Sequence, residues 1–479
     1  MNRMLRLMAA VAIFFSGSVF SVWAQAWKFD RFVNTPYPAP NSLSSGDMEV
    51  ADFNGDMLAD AVITGTSKAK AAVLEYSQIK TGFVSVPESG LPALVAGSLL
   101  TKADYDGDGD LDLAVLGKTG PENESAMIKV YFNDGKGLFT LVSDLGNQLP
   151  SEDFEDTAPS WATSDKNVHG ATNFNGWGQG LFESPDLNGD GLPDIVFAGA
   201  KGMEGGKDIS GQMIQRDFET GGVFLNKGKG QFELVRQAAQ DPDFTFAGFR
   251  KVNRGAGACA DFNGDGKVDL ALFGQANLGP LAITGIAESQ RNGLPVAELW
   301  KGIGDGTFTA FPDSKLPPLI DGAVQATDYN GDGKIDLVFL GNTGFPKDPS
   351  GGRLTEAWLG NGDGTFAKDE AQKLKPLMSG GIACGDIDGD GDADLVLAGN
   401  DNTRSLYVYE NADGVFTQKN LNKAKDGIGA NTTNGMADTD AMHPADLFLV
   451  DMEGDGDLDL LLSGTGGVDQ FLVFRNKLK

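Results

Sequence analysis

A nine-residue acidic motif recurs along the chain, with oxygen-bearing side chains at its first, third, fifth and ninth positions. These are Asp52, Asn54, Asp56 and Asp60 in DFNGDMLAD; Asp104, Asp106, Asp108 and Asp112 in DYDGDGDLD; and Asp186, Asn188, Asp190 and Asp194 in DLNGDGLPD. The set returns as Asp261, Asn263, Asp265 and Asp269; as Asp328, Asn330, Asp332 and Asp336; as Asp386, Asp388, Asp390 and Asp394; and as Asp451, Glu453, Asp455 and Asp459. The seventh position offers a main-chain carbonyl at Leu58, Asp110, Leu192, Lys267, Lys334, Asp392 and Asp457. Hard oxygen donors at this spacing form a cage for Ca²⁺, which takes about 6–8 oxygens. One ion per loop gives up to seven.

The motif is not an EF-hand. That loop closes on a Glu at its twelfth position and runs into a helix, whereas the twelfth residue of the fourth copy, Leu272, falls inside an apolar run. Closure must come at the ninth position, in a turn between two strands. Asn, Asp and Gly are good turn formers, which explains a few such loops but not seven with acids held at one spacing. The seven loops hold 27 of the 67 acidic residues, and so many carboxylates in tight turns repel unless a cation neutralises them. The copies differ: the first has Met57 where Gly is expected, the third has Pro193 beside its carbonyl ligand, and the seventh has the longer Glu453. Asp110, Asp392 and Asp457 add side-chain charge at the seventh position.

The elements that must hold these loops are strands. After each motif comes a short run rich in β-branched residues and Leu, such as LAVLG from Leu113 or LVFLG from Leu337. Farther on, the middle repeats carry a second strand, a Gly-rich turn and a Phe, as in VYFNDGKGLF, VFLNKGKGQF, LWKGIGDGTF and WLGNGDGTF, which spells a β-hairpin. Each repeat thus offers four strands over about 66 residues, the signature of a propeller blade. The expected fold is all-β: a seven-bladed propeller of four-stranded antiparallel blades over residues 27–479. Its last repeat ends without a fourth strand, and the orphan segment Trp27–Phe32 supplies one, closing the ring. Trp300 and Trp358 occupy matching hairpin positions and are expected to pack within blades.

Composition agrees. A formal charge of -29 repels phosphate backbones and anionic lipid, excluding nucleic acid and membrane surfaces as natural partners. Two His and two Cys leave almost nothing for a zinc site or a His-based catalytic network. Cys259 and Cys384 each stand two residues before a motif, so they occupy equivalent places in different repeats and are expected not to pair. Residues 1–26 read as a cleaved secretory signal, with Arg3 and Arg6 before an apolar run and Ala24-Gln25-Ala26 at its end. The mature chain is then periplasmic, cell-surface or extracellular, without membrane insertion.

The DxNGDGxxDLxxxG core with a trailing GDGTF hairpin resembles the FG-GAP and VCBS-type repeats, best known from the integrin alpha-subunit propeller. The resemblance covers residues 27–479. It implies a seven-bladed propeller with Ca²⁺ between the first two strands of each blade. The chain departs from the integrin pattern in lacking the Gly-Ala-Pro signature and in carrying the cation motif in every repeat. Propellers of this kind occur in adhesion receptors, lectins and polysaccharide lyases.

In an up-and-down blade the acidic loops and Gly turns share one face, and the length variation falls on the other. Phe308 to Asp328 takes 20 residues, but Phe139 to Asp186 takes 47 and Phe416 to Asp451 takes 35. From motif end to hairpin Phe, the third and fourth repeats take 38 and 39, against 22 in the sixth. Long loops on a rigid scaffold concentrate binding residues, so the ligand face is placed at blades three and four. The longest insertion holds Trp161, His169, Phe174 and Trp177, either a small satellite core or a platform for carbohydrate or peptide. Two functions follow: a monomeric binding or adhesion module for a glycan or an extracellular or envelope protein, which we prefer, and a polysaccharide-active lyase or hydrolase. The only candidates for the second, Arg216, Arg254, Arg353, His169 and His443, are unlinked in sequence. A purely structural envelope component, without a ligand pocket, is a third.

Overall fold

The structure, a computed structural model, describes residues 29–31, 47–67, 70–79, 82–86, 88–91, 98–117, 127–148, 180–207, 213–236, 245–276, 294–312, 314–344, 352–402, 404–420, 445–452, 454–465 and 469–476. It opens on a short strand, β1 (Phe29–Arg31). Four-stranded sheets then follow the repeats in chain order. The first is β2 (Met48–Ala51), β3 (Asp60–Ser67), β4 (Lys70–Ile79) and β5 (Gly82–Ser85). The second is β6 (Leu99–Ala103), β7 (Asp112–Gly117), β8 (Met127–Asn133) and β9 (Phe139–Asp144). The third is β10 (Leu181–Glu183), β11 (Ile195–Lys207), β12 (Met213–Asn226) and β13 (Phe232–Leu234).

The fourth sheet is β14 (Asn253–Ala260), β15 (Asp269–Ala276), β16 (Leu294–Gly302) and β17 (Phe308–Ala310). The fifth is β18 (Ile320–Thr327), β19 (Asp336–Asn342), β20 (Arg353–Gly360) and β21 (Phe366–Lys368). The sixth is β22 (Met378–Gly385), β23 (Asp394–Asn400), β24 (Arg404–Ala412) and β25 (Val415–Gln418). The seventh holds β26 (Ala445–Val450), β27 (Asp459–Thr465) and β28 (Asp469–Asn476), with β1 antiparallel on its outer edge, Phe29 opposite Asn476. The first six sheets are antiparallel meanders in sequence order and the seventh is the meander β26-β27-β28 with β1 added at its edge, the arrangement of a β-propeller with four-stranded blades. Among the described residues no helix is long and apolar enough to cross a membrane.

The second strand of each blade shows why these apolar runs are strands yet do not alternate with polar residues. Blades stack face to face, so both faces of this strand are buried, and β7, β19 and β23 expose almost nothing. The period of two then sorts residues between neighbours. In β7, Leu113 and Val115 join sheet one's Phe53 and Val62, while Ala114 and Leu116 join sheet three's Ile195 and Phe197. In β19, Leu337 and Phe339 pack toward sheet four, and Val338 and Leu340 toward sheet six. Met48, Val50, Ala61 and Ile63 of sheet one share a core with Met452, Leu461 and Val473 of sheet seven.

Rings bolt adjacent blades together near the acidic loops. The second motif residue meets the hairpin Phe of the following blade in Phe53–Phe139, Tyr105–Phe232, Phe262–Phe366 and Tyr329–Phe416, with centroids 5.6, 5.7, 5.5 and 5.0 Å apart. Trp300 and Trp358 are buried blade packing, as expected. Cys259 and Cys384 are free, on the matching inner strands β14 and β22.

The acidic loops and Gly turns do share a face: Lys267 donates to the Ile303 carbonyl at 2.6 Å and the Gly364 amide to the Phe262 carbonyl at 3.0 Å. The extra length of the third repeat is not all loop. Part of it lengthens β11 and β12 to 13 and 14 residues, paired out to Lys207 opposite Met213, because a ribbon satisfies backbone groups that a long loop would leave to water.

Burying one large ring between two blades sets a clear test. Phe139→Ala is expected to cost about 3–5 kcal/mol, read from the urea midpoint. A loss no larger than that from Leu141→Ala, an exposed neighbour on the same strand, would refute the interface role of the ring.

Candidate metal centres

Each acidic loop is folded by its own carboxylates. In the second copy Asp104 accepts the amides of Gly107 at 2.7 Å and Asp108 at 3.1 Å on Oδ1, and that of Gly109 at 3.0 Å on Oδ2. Asp106 accepts the Asp108 amide at 3.2 Å, and Asp108 that of Asp110 at 3.0 Å. The pattern recurs around Asp52, Asp186, Asp261, Asp328, Asp386 and Asp451. Such a turn needs left-handed backbone at the sixth position, where Gly109 has φ 97°. In the first copy Met57 is forced there at φ 69° with its side chain 85% exposed. A side chain at such a φ costs about 1–2 kcal/mol, so the first loop is the strained one.

The ninth residue does something different. Asp60, Asp112, Asp194, Asp269, Asp336, Asp394 and Asp459 are all fully buried. In most copies one carboxylate oxygen takes the amide of the second motif residue and the other takes the amide at the end of the third strand. Asp112 accepts from Tyr105 at 2.9 Å and Asn133 at 2.8 Å, Asp194 from Leu187 at 2.9 Å and Asn226 at 2.8 Å, and Asp394 from Ile387 at 2.9 Å and Asn411 at 2.8 Å. Asp459 repeats it with Met452 and Asn476, and Asp269 with Phe262 and Gly302. In the first copy one Asp60 oxygen accepts the amides of Phe53, the second motif residue, and of Asn54 at 3.0 and 3.1 Å.

Do these donors fit a divalent cation? Oxygens of Asp104, Asp106 and Asp108 lie within 4.8 Å of one another, as do those of Asp386, Asp388 and Asp394. Donors that close can share one ion at about 2.4 Å, the Ca²⁺–oxygen distance. A carboxylate accepts at about four lone-pair sites, so the amide bonds that shape the loop leave acceptor capacity for the ion. The geometry and donor chemistry fit. Ca²⁺ would be held by the first, third, fifth and ninth side chains, and would supply the positive charge these loops lack.

Not every loop presents the same set. In the fourth, Lys301 makes an ion pair with Asp265 at 2.8 Å, which holds that carboxyl below its ordinary range. The extra seventh-position acid of the sixth copy is not idle charge: Asp392 accepts the amide of Asp413 at 3.1 Å and ties the loop to its own hairpin turn. Glu453, Trp161, His169, Phe174, Trp177 and His443 lie outside the described residues. Of the arginines considered for catalysis, Arg254 is committed to a two-point ion pair with Asp321 of the next blade. Arg216 lies in β12 and Arg353 begins β20.

The sequence reading missed two features. The residue at the end of the third strand, six before the hairpin Phe at Asn133, Asn226, Gly302 and Gly360 and five before it at Asn411, is part of the loop's support, and its near-constant offset from the Phe could have signalled that. Half-buried acids also sit at the inner strands: Asp47, just before β2, accepts the amides of Met48 and Leu100 across two blades, and Lys102 pairs with Glu49 at 2.6 Å.

Burial pushes the Asp112 and Asp394 carboxyls up to about 7 and those of Asp194 and Asp336 up to about 6. A carboxyl raised in the folded state keeps a proton that the unfolded chain has released. Without divalent cation, stability should therefore fall as pH rises from the ordinary carboxyl value toward about 7. The melting temperature of chelated protein is expected to drop between about pH 5 and about pH 8, and added Ca²⁺ to remove the drop. A chelated melting temperature that climbs over that interval would rule out these carboxyls as the source.

Comparison with known proteins agrees with this geometry. A profile for FG-GAP-like repeats matches residues 186–272 and 328–397, two segments that each open on the first Asp of a motif. No curated protein sequence matches the chain significantly. Among solved structures, the V. cholerae biofilm matrix protein Bap1 is similar at 12% identity over 94% of this chain and 91% of its own, with a TM-score of 0.37. BT0996, solved as an RGII complex, is similar at 9% identity over 69% and 90%, with a TM-score of 0.27. The parainfluenza virus 5 hemagglutinin-neuraminidase ectodomain is similar at 7% identity over 95% and 85%, with a TM-score of 0.33. At such values these likenesses carry no functional weight. The repeats carry the identification: this chain is a β-propeller that bears FG-GAP-like repeats.

Proposed function

We propose that the chain is an exported, calcium-loaded propeller of seven blades that serves as a binding module for a glycan or an extracellular protein. The observation that carries this is the recurrence, blade after blade, of a loop whose carboxylates converge while its ninth Asp clamps the loop to the blade. A protein with no use for cations would gain nothing by concentrating 27 acids in seven turns, since like charges at that spacing destabilise the fold. Calcium held there makes each loop a rigid corner, and the opposite face is then free to vary in length.

Ring closure belongs to the same proposal. Phe29–Arg31 acts as the outer strand of the last blade, and the shared core of sheets one and seven supports a continuous ring. Residues 1–26 direct export, and the insertion between Phe139 and Asp186, with Trp161, His169, Phe174 and Trp177, supplies the contact surface. Aromatic side chains with polar neighbours suit the apolar faces and hydroxyls of sugars. Of the arginines considered for the enzyme, Arg254 is paired with Asp321, which takes its charge away from that role.

Purified protein should lose several degrees of melting temperature on chelation and recover them with Ca²⁺ rather than Mg²⁺, because Mg²⁺ dehydrates reluctantly and demands octahedral geometry. An unchanged melting temperature defeats the calcium reading. A glycan array probed with and without chelator tests the ligand: calcium-dependent retention supports a binding module, which Trp161→Ala and Trp177→Ala should abolish, whereas shortened or unsaturated glycans would replace it with the enzyme.

A further inference from the structure

The first acidic loop displays a side chain that folding alone does not explain. In the other six copies the sixth motif position is Gly, which takes left-handed backbone without strain, as at Gly191 and Gly333 with φ 87° and 82°. Met57 makes the same turn, its amide donating to Asp52 at 2.7 Å, but at φ 69° it carries a Cβ that such backbone disfavours. Burial does not offset that strain, because the side chain is 85% exposed. Met57 is therefore unfavourable to the isolated chain twice over, in its backbone and in the apolar surface it shows to water.

Its neighbours are exposed in the same way. Among the described residues six large hydrophobic side chains are exposed, and four of them, Met57, Leu138, Leu141 and Val142, belong to the first acidic loop and the hairpin of blade two. These two pieces meet. The Asn133 side chain donates to the Phe53 carbonyl at 2.7 Å, a Cβ on Gly55 would stand 3.2 Å from the Gly135 carbonyl oxygen, and the Phe139 ring lies edge-on to Phe53. Leu138 is fixed in the hairpin turn by Asp134, whose amide donates to the Leu138 carbonyl at 3.1 Å and whose carboxylate accepts the Leu138 amide at 3.2 Å. The turn does not require a Leu, since the matching residues of blades three to five are Gln231, Thr307 and Thr365. From it β9 runs six residues, against three in β13, β17 and β21, and carries the apolar strip on through Leu141 and Val142.

Carboxylates frame this strip. Asp56 and Asp134 are exposed beside it, and the Asp110 carboxylate lies against the turn, in the space a Cβ on Gly135 would need. Across residues 52–60, 104–112 and 133–144 the one basic side chain is Lys136. The second loop alone has acids at five of its nine positions, so a divalent ion in each loop still leaves the corner negative. A second copy of this acidic chain would be repelled from it. We propose that this corner is a docking surface for a basic, partly apolar segment of another protein, whose apolar side chains sit on Met57, Leu138 and Leu141 while its Lys or Arg residues face the flanking carboxylates. Met suits that place, because its unbranched thioether adapts to the shape it meets. The surface lies on the acidic-loop face, so it is additional to the contact surface proposed above and needs neither the glycan nor the calcium reading.

Fluorescence anisotropy of a labelled peptide of alternating Lys and Leu, titrated with the full chain, tests it, with a Glu and Leu peptide and a Lys and Ser peptide for comparison. Wild type should bind the first about 10-fold more tightly than either of the others, and added salt should weaken that binding. Met57→Gly restores the residue of the other six loops, so the melting temperature should rise while affinity for the Lys and Leu peptide falls by about 10-fold. Opposite changes in stability and binding cannot come from misfolding. Leu138→Ser should weaken binding by a similar factor, and Val415→Ser, at an exposed apolar residue of blade six, should leave it unchanged. Three results would each overturn the proposal: no binding of the Lys and Leu peptide, equal binding of the Glu and Leu peptide, or unchanged affinity in Met57→Gly and Leu138→Ser. Self-association of wild type that Met57→Gly abolishes would overturn it too, by making the occupant a second copy.

Discussion

The buried carboxylate at the ninth position of each motif is the interaction on which the rest of this molecule hangs. A charged group in a protein interior is expensive unless hydrogen bonds replace its water, and here the replacement is the architecture. In most blades one oxygen holds the acidic loop by the amide of its second residue, and the other holds the end of the third strand. A single side chain thus fixes three elements that are distant in sequence: the inner turn, the strand that begins at the Asp itself, and the hairpin. Remove it and the loop loses its anchor and two backbone amides lose their acceptor inside the fold, where an unmade hydrogen bond costs about 1–3 kcal/mol.

From that anchor the packing between blades follows. The second motif residue, whose amide the carboxylate holds, points its side chain at the next blade and meets the hairpin Phe edge-on in pairs such as Tyr105 and Phe232. The strand that starts at the carboxylate is buried on both faces and divides its residues between the two neighbouring interfaces. Loop geometry and blade stacking are therefore one problem, not two. Anything that stiffens an acidic loop also stiffens the interface beside it.

Charge is distributed to match. Most of the chain outside the loops is close to balanced, and local pairs such as Arg250–Glu298 and Lys102–Glu49 do ordinary work between strands. The loops carry the surplus. Their backbone amides already satisfy part of each carboxylate, so the turn keeps its shape by its own hydrogen bonds, and the proposed ion would complete a shape the chain prefigures. Arg254 shows the other use of charge: it bridges blades four and five on the inner strands and is committed to Asp321.

Much of this was legible in the sequence because repetition makes local chemistry additive. Seven motifs at one spacing state the donor set, the Gly positions state the turn, and the apolar run after each motif states a strand, all from interactions within a few residues. The blade order and the shared face of acidic loops and Gly turns follow from that count. What needed the tertiary structure was every contact made between repeats. That the ninth Asp spends both oxygens on backbone amides depends on the third strand arriving from a distant part of the blade. That Asn133 serves its own loop and the preceding one, while Gly302 cannot, depends on how closely the strand end approaches Val268. That Lys301 sits on Asp265 depends on the register of β15 against β16. Sequence spacing carries what neighbours along the chain impose on one another; the links between blades exist only once the sheets have stacked, because only then do residues far apart in the chain come within hydrogen-bonding distance.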